Sequence, residues 1–204
     1  GGLFIVLGLM IMTGLEKKLE TAILDSGYFD VTKVENIILE RFSDDGEVSS
    51  ADKAAPTARP YTEIVNPSGF VNTGGEPITV EQYVGEQVIL LDVMTYSCIK
   101  CQRTFPYVTS WYEEYKDDGL IIIGIHTPEF AFEKNIDNVE AAMERFDISF
   151  PVVLDNDYST WNALGNRFWP RKYLIDIHGN VVYDHIGEGA YEETEMKIRE
   201  LLEE

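Results

Sequence analysis

Residues 88–106 read VILLDVMTYSCIKCQRTFP, and the fold follows from how this stretch is divided. Residues 88–93 (VILLDV) are a near-continuous apolar run of strand length, the pattern of a strand buried on both faces of a sheet. From Cys98 onward the period changes. Phe105, Val108, Tyr112 and Tyr115 recur at spacings of three and four, which is one face of a helix. The cysteine pair Cys98 and Cys101 therefore stands where a buried strand ends and a helix begins.

Outward from this unit the same texture continues. Residues 120–126 (LIIIGIH) predict a second buried strand, and Ile136, Val139, Met143 and Phe146 a second helix. Residues 152–154 read as a short strand, and Tyr158, Trp161 and Leu164 as a further helical turn. Residues 172–176 and 181–185 flank His178, Gly179 and Asn180, a hairpin signal, and a last helix runs through Tyr191, Ile198 and Leu201. Upstream, residues 70–72 and 77–79 predict a small hairpin around Thr73, Gly74 and Gly75, with a helical turn over 80–84. Strands separated by helices, then a hairpin and a final helix, predict an α/β fold with a mixed central sheet covered on both faces.

The first sixty residues have a different composition. Residues 1–15 (GGLFIVLGLMIMTGL) are apolar and uncharged, too short for a complete membrane span of about twenty residues. They fit the tail of a transmembrane helix, a signal-peptide core or a buried soluble helix. A signal core lacks its preceding basic segment and its cleavage site, whereas Leu15, Leu19, Ile23 and Leu24 continue at helical spacing, as in a helix leaving a bilayer. Residues 31–42 predict a short amphipathic helix, and 43–60 (SDDGEVSSADKAAPTARP) a flexible linker. The expected organisation is 1–25 as the end of a transmembrane helix or a membrane anchor, 26–60 as short amphipathic helix and flexible linker, and 61–204 as the α/β domain.

A formal charge of −20 over 204 residues excludes binding to a phosphate backbone, which needs clustered Lys and Arg, so nucleic acid is not a partner. The acidic residues read as a solvated surface or as salt adaptation. Two cysteines three residues apart cannot staple a scaffold; the pair is local and chemical. His126, His178 and His185 lie at no zinc-ligand spacing from it, so neither a metal nor another cofactor is expected. At i and i+3 on a first helical turn the two thiols face the same side and can close a disulfide. Cys98 meets the unpaired amides and positive dipole end of the helix, which favour its thiolate; Cys101, one turn deeper, is the expected resolving thiol. His126 reads as a hydrogen-bonded strand-end histidine.

Asp92, the cysteine pair and Pro106 resemble the thioredoxin pattern. The stretches 95–101 (TYSCIKC), 126–133 (HTPEFAFE), 154–158 (LDNDY) and 172–176 (KYLID) narrow the resemblance to the thioredoxin-like domain of DipZ-type cytochrome c biogenesis proteins, relatives of the TlpA and ResA group. The likeness runs over about 61–204, and residues 1–25 resemble the end of the membrane domain that precedes it in that family. The resemblance implies a thioredoxin-like fold with Trp169–Pro170 cis beside the redox pair, the backbone of Trp169 pairing with an extended substrate. It implies that Asp92 is a buried acid passing protons near Cys101, against the alternative of an outward-facing strand residue, with Glu129 a second candidate. It also implies an electron-donating membrane domain of CcdA or DsbD type upstream, oxidised extracytoplasmic substrates such as apocytochrome c, and an extracytoplasmic, membrane-anchored location. Lys17 and Lys18 after the apolar run would point to the cytoplasmic side by the positive-inside tendency, and the family pattern outweighs them. Lys100 departs from the family, where asparagine is common.

The expected activity is thiol–disulfide exchange in the reducing direction, because nothing in the Ile99–Lys100 pair supplies the acidic first thiol of an oxidant. A peroxidase of the peroxiredoxin type is an alternative: Thr95 lies three residues before Cys98, though Leu91 stands where that motif carries proline. A copper-delivery module using both cysteines and His126 is the non-enzymatic alternative.

Overall fold

The computed structural model describes residues 59–203. The expected anchor, amphipathic helix and most of the linker fall outside them; among the described residues no helix is long and apolar enough to cross a membrane.

Seven strands form one sheet: β1 (Arg59–Pro60), β2 (Gly69–Val71), β3 (Val88–Met94), β4 (Leu120–His126), β5 (Val152–Leu154), β6 (Arg171–Ile175) and β7 (Asn180–Ile186). Their order across the sheet is β1-β7-β6-β3-β4-β5-β2. β3, β4 and β5 are parallel, whereas β6, β7, β1 and β2 add to them antiparallel. The helices are α1 (Ile99–Tyr115), α2 (Ile136–Arg145), α3 (Ser159–Ala163) and α4 (Tyr191–Leu202). The parallel strands need crossovers, and α1 and α2 supply them.

Every residue of β3 and β4 is buried, as the apolar runs predict. Side chains alternate between faces with a period of two. Val88, Leu90 and Met94 therefore join a core with Phe105, Val108 and Trp111 of α1 and Ile198 of α4, while Ile89, Leu91 and Val93 join a second core with Trp161, Leu164, Tyr173 and Ile175. Asp92 has the parity of Leu90 and Met94 and so points towards α1, where Cys101 lies.

Two expectations are corrected. Residues 70–72 and 77–79 do not form a hairpin. Positive φ at Asn72, Gly74 and Gly75 does turn the chain, but Pro77 has no N–H to donate, and Ile78 and Val80 turn into the second core instead. β2 pairs with β5 (Phe70 opposite Val153), and Asn72 Nδ2 donates to the carbonyls of Ile148 (2.8 Å) and Phe150 (3.1 Å). The linker also ends earlier than expected, because Arg59 and Pro60 pair with Val181 and Asn180 at the β7 edge.

Gly124 sits in a closely packed part of the core. A Cβ there would lie 3.1 Å from Met94 Cε, 3.1 Å from Val152 Cγ2 and 3.2 Å from Phe150 Cε2. Gly124→Ala should therefore cost about 1–3 kcal/mol through overpacking. Urea unfolding would measure it, and an unchanged midpoint would show that the neighbours yield freely.

Candidate redox site

The turn leaving β3 carries Thr95, Tyr96 and Ser97 and ends on Cys98, which caps α1 with extended backbone (φ −68°, ψ 117°). Cys98 is half-buried and Cys101 fully buried, and both are free thiols. A thiol hydrogen bond from Cys101 is the largest influence on Cys98. Burial opposes it, the amides of Cys101 and Lys100 add to it, and the charge of Glu129 works against it. The net result pulls the Cys98 thiol from 9.0 down to about 6. Lys100, exposed at the surface, contributes through its amide. Burial pushes the Cys101 thiol far up, helped by its bond to Cys98 and the nearby charge of Asp92.

Asp92 is fully buried, so the outward-facing alternative is ruled out. Opposite it across β3–β6 stands Lys172, only 1 % exposed, with Nζ 3.4 Å from Asp92 Oδ1. The contact is an ion pair lacking hydrogen-bond geometry. Burial raises the Asp92 carboxyl, and Lys172 offsets part of that rise. The stretch 172–176 contains Lys172, but no local pattern assigns it a role, because its meaning depends on register: its parity matches Leu174, which faces the α1 core.

The second residue missed is Glu133, in the 3-10 turn Ala131–Lys134. It is fully buried and takes hydrogen bonds from Thr95 Oγ1, Ser97 Oγ (2.7 Å), Ser97 N (3.3 Å), Glu129 N (2.6 Å) and Phe130 N (2.7 Å). Burial raises its carboxyl, but these bonds outweigh it and hold the group below its ordinary value. The motif at 126–133 contains Glu133, yet no periodicity marks it, because its side-chain partners Thr95 and Ser97 are more than thirty residues away.

His126 is buried, stacked on Tyr96 with ring centroids 5.4 Å apart. It is less fully hydrogen-bonded than expected: Nε2 lies 3.4 Å from Thr95 Oγ1, and Nδ1 has no partner among the described residues. Burial pulls its pKa down to about 4, so the ring is neutral near pH 7. Among the described residues no three His, Cys, Asp or Glu side chains converge as metal ligands.

Trp169–Pro170 is cis. β6 runs antiparallel to β3 with Arg171 opposite Val93, which puts Pro170 at the end of the sheet where β3 releases the redox loop. The Trp169 indole donates to Thr127 O (3.1 Å) and lies 4.3 Å, centroid to centroid, from Trp161. Glu129 is exposed on the loop after β4, so it is not a buried acid beside Cys101; its charge acts on Cys98.

A half-exposed acidic thiol hydrogen-bonded to a buried neutral one is suited to reversible disulfide exchange, and similarity to known proteins agrees. The Redoxin family model matches residues 50–202. The protein DipZ of Mycobacterium tuberculosis is 42% identical over 173 residues, covering 84% of this chain, which spans only 24% of DipZ's length. The thiol-disulfide oxidoreductase ResA of Halalkalibacterium halodurans is 34% identical over 131 residues, 63% of this chain and 68% of ResA. A thioredoxin-like protein solved in its oxidised form superposes with a TM-score of 0.65 at 23% identity, over 72% of this chain and 96% of its own, which shows the shared fold. The chain belongs to the Redoxin family and is a thioredoxin-like thiol–disulfide oxidoreductase.

Proposed function

We propose that the chain reduces disulfides on the extracytoplasmic face of a membrane, tethered through its N-terminal segment, in cytochrome c biogenesis or a related thiol pathway. The asymmetry of the thiol pair carries this reading. Cys98, with a pKa of about 6, is largely thiolate at pH 7 while Cys101 stays protonated. That value lies nearer the roughly 7 of thioredoxin than the roughly 3.5 of a strong oxidant. Reduced-form stabilisation, and with it oxidising power, is correspondingly modest.

The Cys98 thiolate attacks one sulfur of a substrate disulfide, forming a mixed disulfide, and the other substrate sulfur leaves as a thiolate and takes a proton. Cys101 then gives its proton to Asp92 and attacks Cys98 Sγ, which releases the second substrate thiolate and leaves the Cys98–Cys101 disulfide. Two electrons have passed to the substrate. No bound cofactor takes part. A membrane domain of CcdA or DsbD type upstream would return the two electrons by dithiol exchange, and apocytochrome c is a suitable substrate. The backbone of Trp169 next to Pro170 would pair with an extended substrate segment as strands add to a sheet edge. The resemblance to DipZ-type proteins and the apolar run at 1–15 support the tether and its orientation.

Equilibration against a glutathione series should give a potential near the thioredoxin value of about −270 mV; one near about −120 mV would make the chain a disulfide-forming enzyme. In whole cells a membrane-impermeant maleimide should label Cys98. Labelling only after lysis would refute the location.

A further inference from the structure

Building on the assignment of Cys98 as the attacking thiol, we propose that Glu133 is a positioning residue: it clamps the loop carrying Thr95 and Ser97 to the segment after β4 and so holds Cys98 in its reactive setting.

Five donors converge on two buried oxygens. Oε1 takes the Thr95 hydroxyl and both the hydroxyl and the amide of Ser97; Oε2 takes the amides of Glu129 and Phe130. A carboxylate accepts at about four lone-pair sites and donates nothing, so it suits a site made only of donors. A buried carboxylate is costly unless its charge is met, and here donors meet it rather than a cation. The two groups of donors come from different parts of the chain, 36 to 38 residues from Glu133 on one side and three or four on the other. The carboxylate is thus the link between them.

Both sides bear on Cys98. Ser97 immediately precedes it, and Cys98 N closes the turn onto Thr95 O (3.4 Å). Where Ser97 is held decides how the Cys98 sulfur meets the amides of Lys100 and Cys101 that favour its thiolate. On the other side Oε2 fixes the backbone of Glu129, whose charge opposes the thiolate.

Positioning and simple charge predict opposite results. Glu133→Gln turns an amide N–H₂ towards one set of donors and should release one side of the clamp. If Glu133 positions Cys98, the iodoacetamide pH profile of the reduced protein moves upward from about 6 towards 9.0, and alkylation at pH 6 slows by about fivefold for the first pH unit that the profile rises and by nearly tenfold for each unit after it. A downward movement would show that Glu133 acts only as a nearby negative charge. An unmoved profile with a lowered melting temperature would show a purely structural role. Either overturns the proposal. If Glu133→Gln does not fold, Ser97→Ala, which removes one donor and keeps the carboxylate, should also raise the profile, and an unmoved profile would overturn the proposal. Peptide mapping of the wild-type adduct keeps the two readings separate: modification of Cys101 first would refute the attacking role of Cys98 and the clamp with it. Modification of Cys98 with no rise in the variant refutes the clamp alone.

Discussion

Cys101→Ser should accumulate a mixed disulfide between Cys98 and its substrate, while Cys98→Ser should lose turnover by at least about a thousandfold, as expected when the sole nucleophile is removed. The two thiols differ in what surrounds them. Cys98 is reachable and already inclined to ionise at about 6, whereas Cys101 is fully buried with its thiol pushed up by burial and by Asp92. Attack on an external disulfide needs an exposed thiolate. Attack on the mixed disulfide needs only an adjacent thiol that can lose its proton once Cys98 no longer carries charge. Non-reducing electrophoresis with a disulfide-bearing substrate would display the trapped adduct of Cys101→Ser. Its appearance with Cys98→Ser instead would reverse the two roles.

Lys172→Met should cost about 3–5 kcal/mol, because it leaves Asp92 buried without its counter-charge. Asp92→Asn should also destabilise, by stranding Lys172 in the same core. The double replacement should recover much of the loss, with a coupling of at least about 2 kcal/mol. Burial holds the Asp92 carboxyl above its unfolded value, so its ionisation opposes folding as pH rises. Removing Lys172 widens that opposition, and the deficit of Lys172→Met should therefore grow with pH. Denaturant unfolding of the reduced protein at several pH values would measure both effects. Losses below about 1 kcal/mol that simply add would mean that the pair carries no charge. In the redox cycle, the same variants should slow release of the second substrate thiolate more than formation of the mixed disulfide, since Asp92 serves Cys101.

Local pattern was enough wherever one segment carried its own signal. The apolar runs at 88–93 and 120–126 became β3 and β4, and the spacing of Phe105, Val108 and Tyr115 became the buried face of α1. Cys98 and Cys101 could be read together because a helical turn sets their separation without help from the rest of the chain. Pattern failed at residues 70–79, where turn residues were present and the strand partner was not local. There Gly69–Val71 crosses to β5 and leaves Pro77 unpaired.

By itself, then, the sequence determined the strand–helix alternation, the redox pair and its place at a helix start, because propensity, period and spacing act within a few residues. Tertiary structure alone decided that Lys172 faces Asp92 and that Glu133 ties Thr95 and Ser97 to the segment after β4. Each of these contacts depends on strand register or on a loop closing across more than thirty residues, and a buried charge takes its meaning from the partner brought to it.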